Sequence, residues 1–349
     1  MAKKAPSGAI YSPPATASVL SFHGGGFLGY FSALVAEALK KRKTRLGDSS
    51  ALANSFDLIC GTSVGSIIAA SVAAEVPTEE ILALMRENGQ AIFPERSFWR
   101  TKPGLVSARF SSGKLKEVLE TKLRDKRMGD LDRALLIPAV NETKGRPEIF
   151  RSYDRSQEEL KLVDVILASA AAPGYFPLHR IGSQRYADGG LVANGPELIA
   201  ASDLASLFDV PVEAQRILSV GTTRGNSTSL VPLSHNDNWG LKRWVHEYER
   251  LQPLLMDGQV ALQRELLNSL GPRNIVHLDA ELSTEELKNV HLVLANELAR
   301  QTLEKAAASC ISNVSAAERA KVDALLSRVS RRASFFLHPG THSFRIGLL

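Results

Sequence analysis

Gly61-Thr62-Ser63-Val64-Gly65 is a G-x-S-x-G pentapeptide, the spacing that holds a serine on a sharp turn with its hydroxyl bared. Alone the pattern is a weak signal, because short motifs arise by chance. Its setting strengthens it: the apolar Leu58-Ile59-Cys60 precedes it, and the small, apolar Ile67–Ala74 segment follows. That is the strand–turn–helix context of a nucleophile elbow. Gly61 and Gly65 leave room where a side chain would clash. Ser63 then stands at the start of a helix whose dipole stabilises negative charge.

A second group is His23-Gly24-Gly25-Gly26-Phe27-Leu28-Gly29. Gly24, Gly26 and Gly29 fit the G-x-G-x-x-G register of a dinucleotide loop. That reading needs an acid closing the next strand about 20 residues on, where this chain has the basic run 40–45. The other reading is an oxyanion hole, in which the backbone amides of Gly24, Gly25 and Gly26 converge on a developing negative charge. His23 is either a packed loop histidine or a direct participant.

The third group is Tyr186-Ala187-Asp188-Gly189-Gly190. Asp-Gly is a common surface turn. In the functional reading Asp188 sits on that turn within reach of Ser63 and accepts its proton during attack.

In this order and spacing the three groups resemble the patatin-like phospholipase family. Ala168-Ser169-Ala170-Ala171-Ala172-Pro173-Gly174-Tyr175-Phe176-Pro177 is similar to a further family stretch, so four ordered motifs carry the resemblance over about residues 19–195. The resemblance implies a three-layer α/β/α patatin-like fold with a mainly parallel central sheet and a helical C-terminal layer. It implies a Ser63–Asp188 dyad, oxyanion donors at Gly24, Gly25 and Gly26, and elbow glycines at Gly61 and Gly65. Hydrolysis of acyl esters of membrane phospholipids follows, with no metal or other cofactor. Many family members carry an acid before the triple glycine and a cation two residues after it; this chain has His23 and Leu28, so a charge that would steer a phosphate is missing. Some compact bacterial members are antiphage effectors switched on by a cyclic oligonucleotide, and such an activator is a further expectation.

Two rival readings fit the same residues. An ordinary α/β-hydrolase would add a histidine, His338 or His342, but would separate the glycine loop from the serine by more than the roughly 40 residues seen here. A non-catalytic lipid-binding protein on a hydrolase scaffold is the other.

The elements needed to position these groups are legible in the pattern. Val19–Phe22 and Asp57–Cys60 read as short strands, and Phe31, Leu34, Val35, Ala38 and Leu39 recur at helical spacing. Thr78 opens a helix as its N-cap, with Glu79 and Glu80 at the positive end. Strands are expected at Ala134–Val140 and Ile217–Val220, with helices at 162–171, 197–207, 251–270, 284–308 and 316–329. Strand–helix alternation implies a sheet covered on both faces. Residues 1–17 read as a flexible arm, 18–210 as the patatin-like catalytic core, and 211–349 as strands and helices completing and covering the same domain.

Composition agrees. With 349 residues, 44% apolar and 23% charged, the chain is neither intrinsically disordered nor a small disulfide scaffold. The net charge of +5 suits a membrane surface or a nucleic acid and requires neither. Cys60 and Cys310 read as reduced thiols. Residues 1–22 lack the apolar run of a leader, and Phe56–Ala74 is a poor spanning helix. The expectation is a cytoplasmic protein, peripheral to the inner membrane when active, in transient contact with its surface. The cluster Lys40–Arg45 touches anionic lipid or simply favours a helix C-terminus. Phe93-Pro94 and Phe98-Trp99 form an interfacial lip or ordinary packing, and Trp239 and Trp244 read as core. Basic residues are not interleaved with aromatics, so no nucleic-acid polymer is expected as a partner, and no spacing suggests a metal site. The oligomeric state is not legible.

Overall fold

The computed structural model describes residues 16–94, 107–225, 238, 240, 251–271, 274–330, 333–334 and 347–348. The expected arm, Phe98, Trp99, Trp239, Trp244, His338 and His342 thus lie outside the described residues, apart from the arm's last two positions.

Apolar residues alternate along the central strands, and each parity feeds a different core. The strands are β1 (Ala17–Phe22), β2 (Leu58–Gly61), β3 (Ala134–Asn141), β4 (Arg146–Arg151), β5 (His179–Ile181), β6 (Gln184–Ala187), β7 (Gln215–Val220), β8 (Arg224–Gly225), β9 (Asn274–Leu278), β10 (Glu281–Leu282) and an antiparallel pair, β11 (Ala333–Ser334) and β12 (Gly347–Leu348). Leu20, Phe22, Ile59, Leu135, Ile137 and Val220 face one core, whereas Val19, Leu58, Cys60, Leu136 and Ile217 face the other. A strand buried on both sides must belong to the middle layer of three.

The sheet order is β5-β6-β3-β2-β1-β7-β9, with β4 on the free side of β3. β1 pairs in parallel with β2 and β7, as do β2 with β3 and β7 with β9. The pairings of β3 with β4 and β6, and of β5 with β6, are antiparallel. β8 and β10 form a separate two-stranded pair.

The helices are α1 (Gly29–Arg45), α2 (Val64–Ala73), α3 (Thr78–Ile92), α4 (Gly113–Leu123), α5 (Leu162–Ser169), α6 (Glu197–Leu207), α7 (Leu251–Leu270), α8 (Thr284–Leu287), α9 (Glu297–Asn313) and α10 (Ala316–Leu326). Every residue of α2 is buried, as its small apolar composition requires. α6 and Leu267 of α7 cover the second face, while α1, α2, α3, α5, α9 and α10 lie on the first.

Three expectations need correction. Thr78 is not the N-cap of α3: Pro77 holds that place, and Thr78, the first helical residue, donates its hydroxyl to Glu37. The span 284–308 is not one helix. α8 ends after one turn, and Asn296 starts α9 by accepting a hydrogen bond from the Ala299 amide at 2.9 Å. The intervening Leu292 and Val293 line a cavity instead. The cations around Lys40–Arg45 are also partly committed to the fold. Lys43 is fully buried, bonded to Asp48, to Ser55 Oγ at 2.9 Å and to the Leu326 carbonyl at 3.3 Å. Arg42 makes a two-pronged contact with Asp323 at 2.8 and 2.6 Å.

Candidate active site

One edge of β3 explains how residues 125 apart in sequence meet. Ala134–Leu136 pair with β2 running parallel, and Val140–Asn141 pair with β6 running antiparallel. The C-terminal ends of β2 and β6 therefore approach head to head over Ile137–Ala139. The next residues out of those strands are Thr62-Ser63 and Asp188.

Ser63 has φ 53° and ψ −124°, a left-handed conformation that costs a non-glycine residue on the order of 1–3 kcal/mol. The turn survives because the chain around it admits nothing else. A Cβ on Gly65 would lie 2.3 Å from the Phe22 carbonyl oxygen, and one on Gly61 would lie 2.2 Å from that of Gly65. The Ser63 amide donates to Ser169 Oγ at 3.0 Å, and that hydroxyl donates to the Pro138 carbonyl at 2.7 Å.

Ser63 Oγ donates to Asp188 Oδ2 at 2.7 Å. Asp188 Oδ1 accepts from the Gly190 amide at 2.6 Å. Both side chains are nearly buried, at 8% and 5% exposure. Burial raises the Asp188 carboxyl to about 6 despite opposing hydrogen bonds from Ser63 and Gly190. A base poised near neutrality beside a hydroxyl can take its proton as the oxygen attacks a carbonyl.

The glycine loop packs against this turn, but its three amides are not equivalent. The Gly24 amide donates to the Asn194 carbonyl at 3.0 Å, which removes it from the expected set of oxyanion donors. The Gly24 carbonyl in turn accepts from Asn194 Nδ2 at 3.3 Å and from Thr222 Oγ1 at 3.2 Å. Gly24 thus roots the loop. Gly26 has φ 54°, and a Cβ there would lie 2.1 Å from the Leu292 carbonyl, which accepts the Phe27 amide at 2.7 Å. Gly26 and Ser63 line the same cavity.

His23 makes its polar contacts elsewhere. Its Nε2 lies 3.0 Å from Glu197 Oε1 and 2.9 Å from Ser219 Oγ, and Ser21 Oγ donates to Glu197 Oε2 at 3.0 Å. Burial alone would lower the His23 pKa, but the Glu197 charge and hydrogen bond outweigh it and raise it. Burial likewise opposes the Glu197 charge, yet His23 holds that carboxyl down at about 2. This is the packed-histidine reading, with an ion pair under the root of the loop.

The cavity at Ser63 is about 410 Å³, within the range of small-molecule sites. Its wall is mainly apolar, with Phe27, Ile92, Phe93, Phe176, Leu255 and Met256 among the lining side chains. Phe93 packs edge-on against Phe27, Phe110 and Phe176. Among the described lining residues only Asp188 and Arg109 carry charge. Arg109 lies over the Phe110 ring at 5.3 Å. Sequence reasoning missed Arg109, which belongs to no motif, and missed the part played by Leu292.

Residues 20–201 match the family described as patatin-like phospholipase. The chain belongs to that family. It is therefore a lipid acyl hydrolase. Curated relatives agree along most of the chain. A Pseudomonas aeruginosa protein named cGAMP-activated phospholipase is 36% identical, covering 79% of this chain and 81% of its own length. Proteins of the same name from Escherichia coli and Vibrio cholerae are 32% and 30% identical, each covering 92% of this chain and 93% and 94% of their own.

Proposed function

We propose that this chain hydrolyses acyl esters of membrane phospholipids with Ser63 as nucleophile and Asp188 as base, under the control of a cyclic nucleotide. The observation that carries the reading is the 2.7 Å contact between Ser63 Oγ and Asp188 Oδ2 at the wall of an apolar cavity. In the first step Ser63 Oγ attacks the acyl carbonyl while its proton passes to Asp188 Oδ2. The amides of Gly25 and Gly26 are the donors assigned to the oxyanion. Collapse expels the alcohol, which takes the proton from Asp188. Water, deprotonated by the same carboxylate, then attacks the acyl-serine; collapse releases the fatty acid, and Asp188 returns the proton to Ser63 Oγ. An acyl chain fits the apolar wall, and Arg109 supplies the cation for a phosphate that Leu28 does not provide. Control by a cyclic nucleotide rests on the names of the three bacterial relatives, and antiphage defence is the role proposed with it.

Access to the substrate is proposed to come from transient contact with the inner membrane from the cytoplasmic side. No described helix is long and apolar enough to cross a membrane.

The test is release of fatty acid from phospholipid vesicles, with and without cGAMP, by wild type and Ser63→Ala. Loss of one nucleophile lowers turnover by about 10⁴-fold or more. Retained turnover in Ser63→Ala would overturn the assignment. For Arg109→Ala, the KM for phospholipid should rise about tenfold while that for an uncharged soluble acyl ester stays within about twofold, as expected for one lost charge-assisted contact.

A further inference from the structure

A second cavity, of about 440 Å³, lies along the C-terminal half of α1, away from the glycine loop that precedes the helix. Its floor is apolar, with Val35, Leu39, Leu278 and Val322, and its rim is basic, with Lys41, Arg42, Arg45 and Arg319. Two of those cations have carboxylate partners: Lys41 pairs with Glu37 at 3.1 Å, and Arg42 pairs with Asp323. Four cations against two carboxylates leave two positive charges at the rim. Arg45 is exposed, and Arg319 donates to the Ser312 and Val314 carbonyls, at 3.3 Å each, while its charge also bears on Asp323, which Arg42 already holds. Apolar floor and doubly positive rim complement a ligand that has flat heterocycles and two phosphates.

The position of the cavity matters as much as its lining. α1 starts at Gly29, directly after the glycine loop, and its C-terminal half forms one wall; its 17 residues span roughly 25 Å. α9 runs the same way. The segment before it carries Leu292, which holds the Phe27 amide, and its last turn supplies Ile311 and Ser312 to the cavity. Between them Leu278 accepts the Gly221 amide at 2.9 Å, and the following Thr222 donates to the Gly24 carbonyl. Three rigid routes therefore join this cavity to the loop beside Ser63.

We propose that this basic cavity between α1, α9 and α10 is the activator site, binding a dianionic cyclic dinucleotide with its phosphates toward Arg45 and Arg319. The proposal rests on the cyclic-nucleotide reading above and gives it a location. Occupancy bears on the ends of α1 and α9 and so on the placement of Gly25 and Gly26.

The test is titration calorimetry of cGAMP into the full chain as wild type, Ser63→Ala, Arg45→Glu, Arg319→Glu and Ser312→Trp, each checked for its melting temperature. Ser312 is exposed at the cavity wall, so the tryptophan plugs the site without touching the core. Wild type and Ser63→Ala should bind alike. Each arginine reversal should weaken binding at least about tenfold, and Ser312→Trp should do so without any change of charge. Loss of vesicle hydrolysis in response to cGAMP should follow the loss of binding. Should one arginine variant melt early, Ser312→Trp and the other still decide. Wild type that binds no cGAMP sinks both this site and the cyclic-nucleotide reading. Binding within about twofold of wild type in all three variants overturns the site and leaves that reading standing. Variants that lose only affinity for phosphatidylglycerol vesicles mark a lipid-headgroup site, which also overturns the proposal.

Discussion

Burial raises the Asp188 carboxyl to about 6, so the residue has to ionise where water would help it least. Only the carboxylate can accept the Ser63 proton. Turnover of a soluble ester should therefore fall as pH drops through about 6, with one proton per tenfold fall. A profile flat from pH 8 down to 5 would count against Asp188 as base. The same shift has a stability consequence of opposite sense. Because the folded-state pKa lies above the usual carboxylate value, protonation favours the fold. That contribution is complete below about 4 and is lost as pH rises through about 6. Asp188→Asn should thus abolish turnover while raising stability at pH 8, by up to about 3 kcal/mol for a shift of this size. The gain should shrink at pH 5, where wild type is protonated. His23 and Glu197 work in the other sense. The raised His23 pKa stabilises the fold until pH rises past it, and the depressed Glu197 pKa stabilises it until pH falls toward about 2. Glu197→Gln leaves a buried histidine without its counter-charge and should cost about 3–5 kcal/mol in denaturant unfolding near pH 6.

At the scale of the elements, the elbow depends on a close approach between backbones that only glycine permits. Gly65→Ala would drive a methyl group into the Phe22 carbonyl and should destabilise by about 3 kcal/mol. Gly145→Ala is the matched control: its φ is 63°, but nothing lies within 4 Å of the added carbon. It should cost only about 1 kcal/mol, and equal losses in the two variants would remove the steric account. The elbow was legible because its constraint is local: the apolar β2, two glycines and the small residues of α2 stand within 16 positions. β1, β3 and β7 were legible for a related reason, since burial on both faces leaves adjacent apolar residues, Val19-Leu20, Leu135-Leu136-Ile137 and Ile217-Leu218, at their centres. β4, β5 and β6 were not, because they form the mixed end of the sheet, where Arg146, Glu148, Arg180 and Gln184 reach partial or full exposure. The break between α8 and α9 was hidden because Val290, Leu292, Val293 and Leu294 continue an apolar pattern. Here the pattern serves the cavity and the core beside it rather than a helix face. Asp188 could be named from its motif, but its approach to Ser63 rests on two strands sharing one edge of β3. No local spacing encodes that. The Gly24 amide shows the limit most clearly, because its engagement depends on Asn194, 170 residues away.

Across the whole molecule, the cavity at Ser63 opens beside an apolar ridge. Leu251, Leu255, Leu262, Leu266 and Leu270 recur on α7 at intervals of four and seven, which puts them on one face. They are between 39% and 56% exposed. Leu251 and Leu255 also line the cavity, so the ridge runs out from its mouth. A monomeric protein seldom leaves such a stripe in water without use. For an enzyme whose proposed substrate resides in a bilayer, the stripe offers a docking face, and the net charge of +5 adds attraction to anionic lipid. Leu262 and Leu266 lie beyond the cavity wall, so changing them separates docking from chemistry. Each buried leucine contributes about 1.5–3 kcal/mol, and these two are about half-buried already. Leu262→Glu with Leu266→Glu should therefore weaken binding to phosphatidylglycerol vesicles by about ten- to a hundredfold. Hydrolysis of those vesicles should fall in step, while turnover of a monomeric, water-soluble ester stays within about twofold. Equal losses on both substrates would mean that α7 supports the active site itself and would remove the ridge as a docking face.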